Sequence, residues 1–547
     1  MIYTFGVETE EGAIAVGAGT LYEEGVRAGF VTEKNRSQNE KLTIPEINSG
    51  FDPAYWYAGE EITKICQSAD GCEAGSDVAS PEEGMIPLLF KCDVPAPGIY
   101  RVSVTIRSVK ADTFAELFLG RRRGYLIRHM EMGEEIEEAF FTDVSPIVAR
   151  GSTEAREDSS IDLALVGEGV KLCRVEVTKQ QEKQTIYIAG DSTVTDQFTD
   201  YPYLPGKAYS GWGQMLSAYI GRKHAVSNHA HSGLTTESFR SEGHYDVMAP
   251  LLQAGDLCLF QFAHNDQKLD HLKAKGGYRE RLLTYIEEVR AKNAVPVLVT
   301  PLARNTWKNG DTYNDLLEEY AEEVLLIGKE MQVPVVDLHA FSMALIKKLG
   351  REEARKYYFP SDYTHTNDYG AYYYAGYVAT QLKELGLIGE VQSVEEWTPC
   401  EALPVPEPPK DRAQRKNPEA VELFADLERP EEILTRADAV DFVIRTMKFF
   451  PTNVYNDVFD DVVGHETYAG SVECAYQNGI IPQENIDAKK FYPKQAVSGR
   501  DFWVFLQRGY SSRRPDALQE SMLPEGFLQK GKITRGEAAA ICKMLQI

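Results

Sequence analysis

Five apolar, β-type runs at 185–190, 224–228, 256–262, 295–300 and 333–337 alternate with helical patterns at about 211–220, 236–252, 277–293, 312–331 and 367–385. Strands alternating with helices are joined by right-handed crossovers, so this stretch predicts a doubly wound parallel sheet with helices on both faces. Ligands bind such sheets at the C-terminal ends of the strands. The helix expected at 313–331, with Asp311 or Thr312 as N-cap, carries leucines and valine on one face and glutamates on the other. That acidic face reads as solvated surface.

Polar residues gather where the strands end. The run TIYIAGDSTVTDQ stops at Gly190-Asp191-Ser192, VSNHAHSGLTTESF runs into Gly233, and GDLCLFQFAHNDQ ends on Asn265 and Asp266. PSDYTHTNDYGA places Asp362 three residues before His365 on a loop entering a helix. A serine hydroxyl is a poor nucleophile and needs a base, a group that orients the base, and donors for the oxyanion. Ser192, His365 and Asp362 are candidates for the first three roles. The N–H groups of Ser192 and Gly233 and the side chain of Asn265 are candidates for the oxyanion hole. Taken singly, each segment is an ordinary turn or cap; their joint placement just after strands gives the reading its weight.

The same segments resemble the sequence blocks of the SGNH, or GDSL-type, hydrolases, and among them the rhamnogalacturonan acetylesterases. The resemblance rests on IAGDSTV at 188–194, GWGQML at 211–216, the run from Asn228, FAHNDQ at 262–267, PLAR at 301–304 and DYTHTNDYGA at 362–371, and it covers about 185–390. It implies a flavodoxin-like α/β/α catalytic domain at 185–392 that removes acetyl groups from pectic saccharides through Ser192, His365 and Asp362, without a cofactor. Two positions depart from the pattern. Thr235 stands where serine is common and keeps a hydroxyl. Ala263 stands where glycine is usual, which is tolerable at negative φ and costs about 1 kcal/mol or more at positive φ.

A chain of 547 residues exceeds one hydrophobic core. Residues 1–180 show short alternating segments divided by glycine, proline and acidic turns, which predicts an all-β sandwich. The opening and VPAPGIYRVSV resemble galactose-binding-like jelly rolls, implying either carbohydrate binding or a scaffold that walls the substrate groove. Residues 176–184, rich in Lys, Gln and Glu, read as the linker to the catalytic core. A proline-rich charged stretch at 393–425 reads as a second, extended linker. Beyond it, 426–547 is expected to be mostly helical. LTRADAV, VSGRDF and ITRGEAA there resemble divergent S-layer homology repeats, although their spacings differ almost twofold. Cell-wall contact and a homo-oligomerising or lid-like helical module are the competing readings.

The formal net charge of −25 argues against nucleic acid and anionic membranes as partners, and no segment reaches the length of a membrane span. The opening MIYTFGVETE has no basic n-region or apolar h-region, which points to the cytoplasm, or to the cell surface if a leader was trimmed. Eight scattered cysteines without Cys-x-x-Cys spacing suggest neither a disulfide framework nor a zinc site, and Cys173, Cys258 and Cys542 sit in apolar runs typical of buried thiols.

The expected partner is an acetylated pectic saccharide. An acidic sugar would need a local cation, for which Arg304 and Lys308 are candidates by position. His264 is expected to shape the pocket wall, and Trp212 or Tyr209 to stack on a sugar ring. His229, His231 and His264 are close in sequence to the oxyanion candidates, but a serine mechanism needs no metal, and none is expected. An esterase acting on lipids or thioesters and a non-catalytic carbohydrate or cell-wall binding protein are the alternatives.

Overall fold

The structure is a computed structural model. It describes residues 1–7, 10–23, 26–36, 56–57, 63–75, 84–148, 153–181, 183–200, 202–308, 312–360, 362–393, 424, 427, 429–447, 449, 458–462, 466, 468–511 and 518–545. The second linker, apart from its first residue and Phe424, and Cys400 lie outside these residues. The chain forms two compact units, Met1–Asn305 with Leu317–Pro406, and Thr306–Leu316 with Glu407–Ile547.

The first unit opens with two sheets. One has the order Glu135–Val144, Gly98–Ser108, Val170–Lys179, Ile2–Thr4, Ile14–Ala15, and the other Arg123–Met130, Thr113–Leu119, Ser160–Val166, Leu88–Asp93, Ala28–Phe30. Alternating side chains from both enter one core, including Val102, Val104, Ile106 and Val175 from the first sheet and Phe90, Leu117 and Leu163 from the second. Phe90 meets the edges of Tyr3 and Phe5 at centroid distances of 5.3 and 4.9 Å.

Val170–Lys179 remains paired with Gly98–Ser108 as far as Lys179 opposite Tyr100. The linker expected at 176–184 is therefore strand for its first four residues, because Val175 and Val177 still alternate into the core. Cys173 is only half-buried, since it falls at the register break between Leu172 and Arg174; Cys258 and Cys542 are buried free thiols.

The central sheet comprises β1 (Thr185–Gly190), β2 (Ala225–Asn228), β3 (Leu257–Gln261), β4 (Val295–Val299) and β5 (Val335–Val336), all parallel in the order β2-β1-β3-β4-β5. This is the doubly wound arrangement with its topological switch beside β1, where the chain reverses its direction of winding. Four helices cover it: α1 (Arg279–Ala291), α2 (Glu318–Met331), α3 (Leu338–Glu353) and α4 (Asp368–Glu384).

Several boundaries differ from the sequence expectation. The pattern at 236–252 breaks into Ser238–Ser241 and His244–Met248, because Gly243 takes φ +85° between them. Helix α2 starts at Glu318 instead of 313; Thr312–Tyr313 pairs with Trp307–Lys308 as a short hairpin held by an edge contact between Trp307 and Tyr313. Helix α3, which the periodicity did not reveal, is capped by Asp337 and buries only Leu338, His339, Ser342 and Ile346. So sparse an apolar stripe is easily lost among its lysines and glutamates.

In the second unit, α5 (Arg436–Thr446), α6 (Ala469–Gln477), α7 (Gly499–Ser511) and α8 (Arg535–Met544) surround an apolar core containing Val440, Phe502 and Ile541. Helices α5, α7 and α8 begin alike: Thr435, Ser498 and Thr534 each exchange hydrogen bonds with an acid three residues on, Asp438, Asp501 or Glu537. The apolar residues before these caps bond in a closed ring. Leu434 N–H donates to Ile533 O (2.9 Å), Ile533 N–H to Val497 O (3.1 Å), and Val497 N–H to Leu434 O (3.0 Å). The three similar sequence segments thus meet in space despite their unequal spacing. Among the described residues, no helix is long and apolar enough to cross a membrane.

Candidate active site

Strand β1 ends at Gly190, where an added Cβ would lie 2.7 Å from Gln261 O, so only glycine lets β1 and β3 approach this closely. The chain then turns sharply. Asp191 Oδ1 accepts from the Thr193 N–H (3.0 Å) and hydroxyl (2.8 Å), a tight Asx turn that directs Ser192 away from the sheet. Burial opposes the charge on Asp191, but contact with His264 and with Thr193 outweighs it and keeps this carboxyl below its usual range.

Ser192 Oγ lies 2.7 Å from His365 Nε2, and His365 Nδ1 lies 2.8 Å from Asp362 Oδ2. The other oxygen of Asp362 accepts the N–H groups of Thr364 (2.8 Å) and His365 (3.0 Å), which fixes the loop before Asn367 caps α4 through the Gly370 N–H. Burial again works against the carboxylate, and His365 with the two backbone donors overcomes it, holding Asp362 well below the ordinary carboxylate range. An ionised Asp362 accepts from Nδ1–H, so Nε2 presents a lone pair to the serine proton.

The other segments converge on the same edge. Gly233 takes φ +89° with open space where a Cβ would stand, so the requirement for glycine here is conformational. Neither the Ser192 nor the Gly233 N–H donates to a protein acceptor among the described residues. Asn265 Nδ2 donates to Leu234 O (3.0 Å), and Asn265 Oδ1 accepts from Lys268 Nζ (2.9 Å), so the amide is locked with its nitrogen toward the Gly233 loop. Asp266 ties the two loops together by accepting from Thr236 N–H (2.8 Å) and Ala263 N–H (3.1 Å).

Ala263 adopts φ +123° and is fully buried, so its methyl sits in a strained conformation. Ala263→Gly is expected to stabilise the protein by about 1 kcal/mol, since relief of strain exceeds the entropy cost of glycine. Thermal melts of the two proteins measure this directly.

The residues expected to touch substrate are mostly interior. Trp212 exposes 1 % of its surface and donates Nε1–H to Gln261 Oε1 (2.8 Å), the outcome of a core tryptophan satisfying its only donor. His264, also 1 % exposed, is no pocket wall: Nε2 bonds Leu302 O (2.9 Å) and Nδ1 faces Asp191 Oδ2 (3.1 Å). Arg304 is likewise buried, donating Nη2–H to His264 O (3.1 Å), and does not offer an open cation to an acidic sugar. The Lys308 side chain lies outside the described residues.

Tyr209 is half-buried, stacks on Phe359 and stands edge-on to His365 at 5.9 Å between centroids. His229 is buried against Ser227 Oγ (2.9 Å), and His231 Nδ1 accepts the Ser232 N–H. Among the described residues, no group of three or more His, Cys, Asp or Glu is placed to hold a metal ion. Sequence reading passed over Lys268 and Gln197, which bond Asn265 and Ser192 respectively; both stood inside or just beyond the quoted motifs, but polar residues in turns carry no distinguishing pattern.

The model of the GDSL-like lipase/acylhydrolase family matches residues 188–372. Rhamnogalacturonan acetylesterase RhgT of Bacillus subtilis is 33 % identical over 216 residues, covering 37 % of this chain and 90 % of that protein. The rhamnogalacturonan acetylesterase of Emericella nidulans is 28 % identical over 211 residues, 34 % of this chain and 80 % of that one. The crystal structure of protein YxiM from Bacillus subtilis is 24 % identical, with 71 % of this chain and 99 % of that one covered at a TM-score of 0.37. One third identity across nine tenths of a relative, together with the family model matched at 188–372, makes the chain a member of the GDSL, or SGNH, hydrolase family and a carboxylic ester hydrolase, with additional N- and C-terminal regions.

Proposed function

We propose that the protein is a serine esterase that removes O-acetyl groups from rhamnogalacturonan-type pectic saccharides. The observation that carries the mechanism is the continuous relay Ser192 Oγ, His365 Nε2, His365 Nδ1, Asp362 Oδ2 at 2.7 and 2.8 Å. His365 takes the Ser192 proton as the hydroxyl attacks the acetyl carbonyl, and Asp362 stabilises the resulting imidazolium. The oxyanion is met by the N–H groups of Ser192 and Gly233 and by Asn265 Nδ2–H, each such donor worth about 10²–10³-fold in rate. The sugar oxygen leaves with the proton from His365, and water deacylates the serine by the same route. The names of the relatives at 33 % and 28 % identity support the pectic substrate.

Acetate release from acetylated rhamnogalacturonan oligosaccharides, with acetylated xylan as control, tests the assignment. Release from the first alone, lost in Ser192→Ala, is the expected result; release from xylan alone would overturn the pectic substrate.

Lys268 gives this site a pH dependence. Burial, reinforced by Arg304 and opposed by Asp191, brings the Lys268 ammonium down to about 8. Its charge polarises the Asn265 amide, so turnover is expected to decline as pH rises through about 8 and the proton is lost. Lys268→Met should show a several-fold lower kcat at neutral pH and lack that alkaline limb, as kcat against pH, corrected for hydroxide-driven hydrolysis, will record.

A further inference from the structure

Three consecutive arginines, Arg121, Arg122 and Arg123, lie where the strand Thr113–Leu119 turns into Arg123–Met130, and none exposes more than 3 % of its surface. Arginine is almost never so buried without dedicated partners, because a guanidinium is costly to desolvate. Most of the hydrogen-bond acceptors these three reach belong to the catalytic region. Arg121 Nη2 donates to Asn228 O (2.7 Å) and its Nε to Asp196 Oδ2 (3.1 Å). Arg122 Nε donates to Gln197 O (3.0 Å) and its Nη2 to Tyr209 O. Arg123 Nη1 donates to Val226 O, and its Nη2 to Asp143 O (2.9 Å), an acceptor within the N-terminal sheets. Arg122 holds φ +53°, a conformation that non-glycine residues rarely adopt.

The acceptors stand directly behind the reacting groups. Asp196 and Gln197 close the loop that Ser192 begins, Asn228 ends the strand leading to Gly233, and the Tyr209 ring stands edge-on to His365. Gln197 joins the loops: its carbonyl accepts from Arg122, while its Nε2 donates to Ser192 O (3.1 Å) and to Ser232 Oγ (3.1 Å), the neighbour of Gly233. A second tie reaches the histidine side, where the Tyr203 hydroxyl bonds both Glu116 of the N-terminal strand and Asp368, three residues beyond His365.

We propose that the N-terminal region is a working part of the esterase: its arginine turn clamps the loops carrying Ser192 and Gly233, with Arg122 and Gln197 as positioning residues. This rests on the roles given to Ser192 and Gly233 above. A separate carbohydrate-binding module would be expected to meet a catalytic domain through a solvated surface. Here two buried cations, Arg121 and Arg122, terminate on Asp196 and Gln197 of the loop that Ser192 begins, and nucleophile geometry tolerates errors of well under 1 Å, roughly 10²-fold in rate for each ångström.

The test uses the full chain and p-nitrophenyl acetate, whose hydrolysis needs no sugar contact. Gln197→Met keeps the stem and loses the donor, and Arg122→Lys keeps the charge and loses the fork. Each should lower kcat at least tenfold with KM within twofold, and amide exchange should accelerate at 190–199 and 229–235 but not in β3 or β4. Gln197 is only half-buried, so its variant decides the matter should Arg122→Lys fail to fold. Wild-type kcat in Gln197→Met, or unchanged exchange in both segments, would overturn the clamp. If the wild-type protein hydrolyses no p-nitrophenyl acetate, the serine reading fails and the exchange measurement alone decides the clamp.

Discussion

Ser192→Ala is expected to lower kcat by about 10⁵–10⁶-fold while the protein remains folded. Among the described residues the hydroxyl makes one side-chain hydrogen bond, to His365 Nε2 at 2.7 Å, and the substitution removes a single oxygen atom. In the proposed mechanism what remains is an oxyanion site and an imidazole that can activate water, enough for about 10³-fold over the uncatalysed reaction. The two residues act as one unit in that mechanism, so Ser192→Ala combined with His365→Ala should be no slower than either alone. Acetate release followed by a coupled assay, with thermal melts as a control, provides the measurement. A loss of less than tenfold in Ser192→Ala would remove serine from the mechanism.

Asp362→Asn should cost about 10⁴-fold in kcat. Asn keeps an oxygen to accept the N–H groups of Thr364 and His365, so the loop should survive. Its amide nitrogen, however, would face His365 Nδ1 as a donor where the carboxylate now accepts at 2.8 Å. Nδ1 would then hold the lone pair and Nε2 the proton, and a protonated Nε2 cannot take the proton of Ser192. The stability signature differs in sign from the kinetic one. A carboxyl held below its usual range contributes stability above the unfolded pKa of about 4 that is lost as pH falls toward the folded value, so the wild-type melting temperature should drop more steeply below pH 4 than that of Asp362→Asn. Equal activity of the two proteins at neutral pH would show that Asp362 does not set the tautomer.

The fold of the central sheet and the segments that meet at its candidate site were legible because both depend on local patterns. Each central strand is apolar enough to announce itself, and Gly190, Gly233, Asn265 and the Asp362/His365 pair lie at strand or helix ends where turn chemistry is distinctive. What could not be read is what the rest of the chain does to those segments. Trp212, His264 and Arg304 look like binding residues when their neighbours are unknown, yet each directs polar atoms to a partner 38 to 73 residues away. The arginine turn is equally silent. A run of three arginines reads as solvated surface until the fold brings Asn228, Gln197 and Val226 against it. Helix α2 illustrates the opposite error, in which a sound amphipathic pattern was extended into residues that the Trp307–Tyr313 contact draws into a hairpin.

The ring formed by Leu434, Val497 and Ile533 bears on how many such segments the C-terminal unit can hold. In an open stack of repeats the terminal units each leave one face unpaired, and the array can lengthen by duplication provided its ends are capped. Here every member gives one bond and receives one, so the array has no first or last member. A fourth copy could enter only by breaking an existing link, and deletion of any one copy would leave a donor and an acceptor stranded in an apolar core. The number three is thus built into the module's closure, as rotational symmetry fixes the size of a cyclic oligomer, although here a single chain supplies all three members.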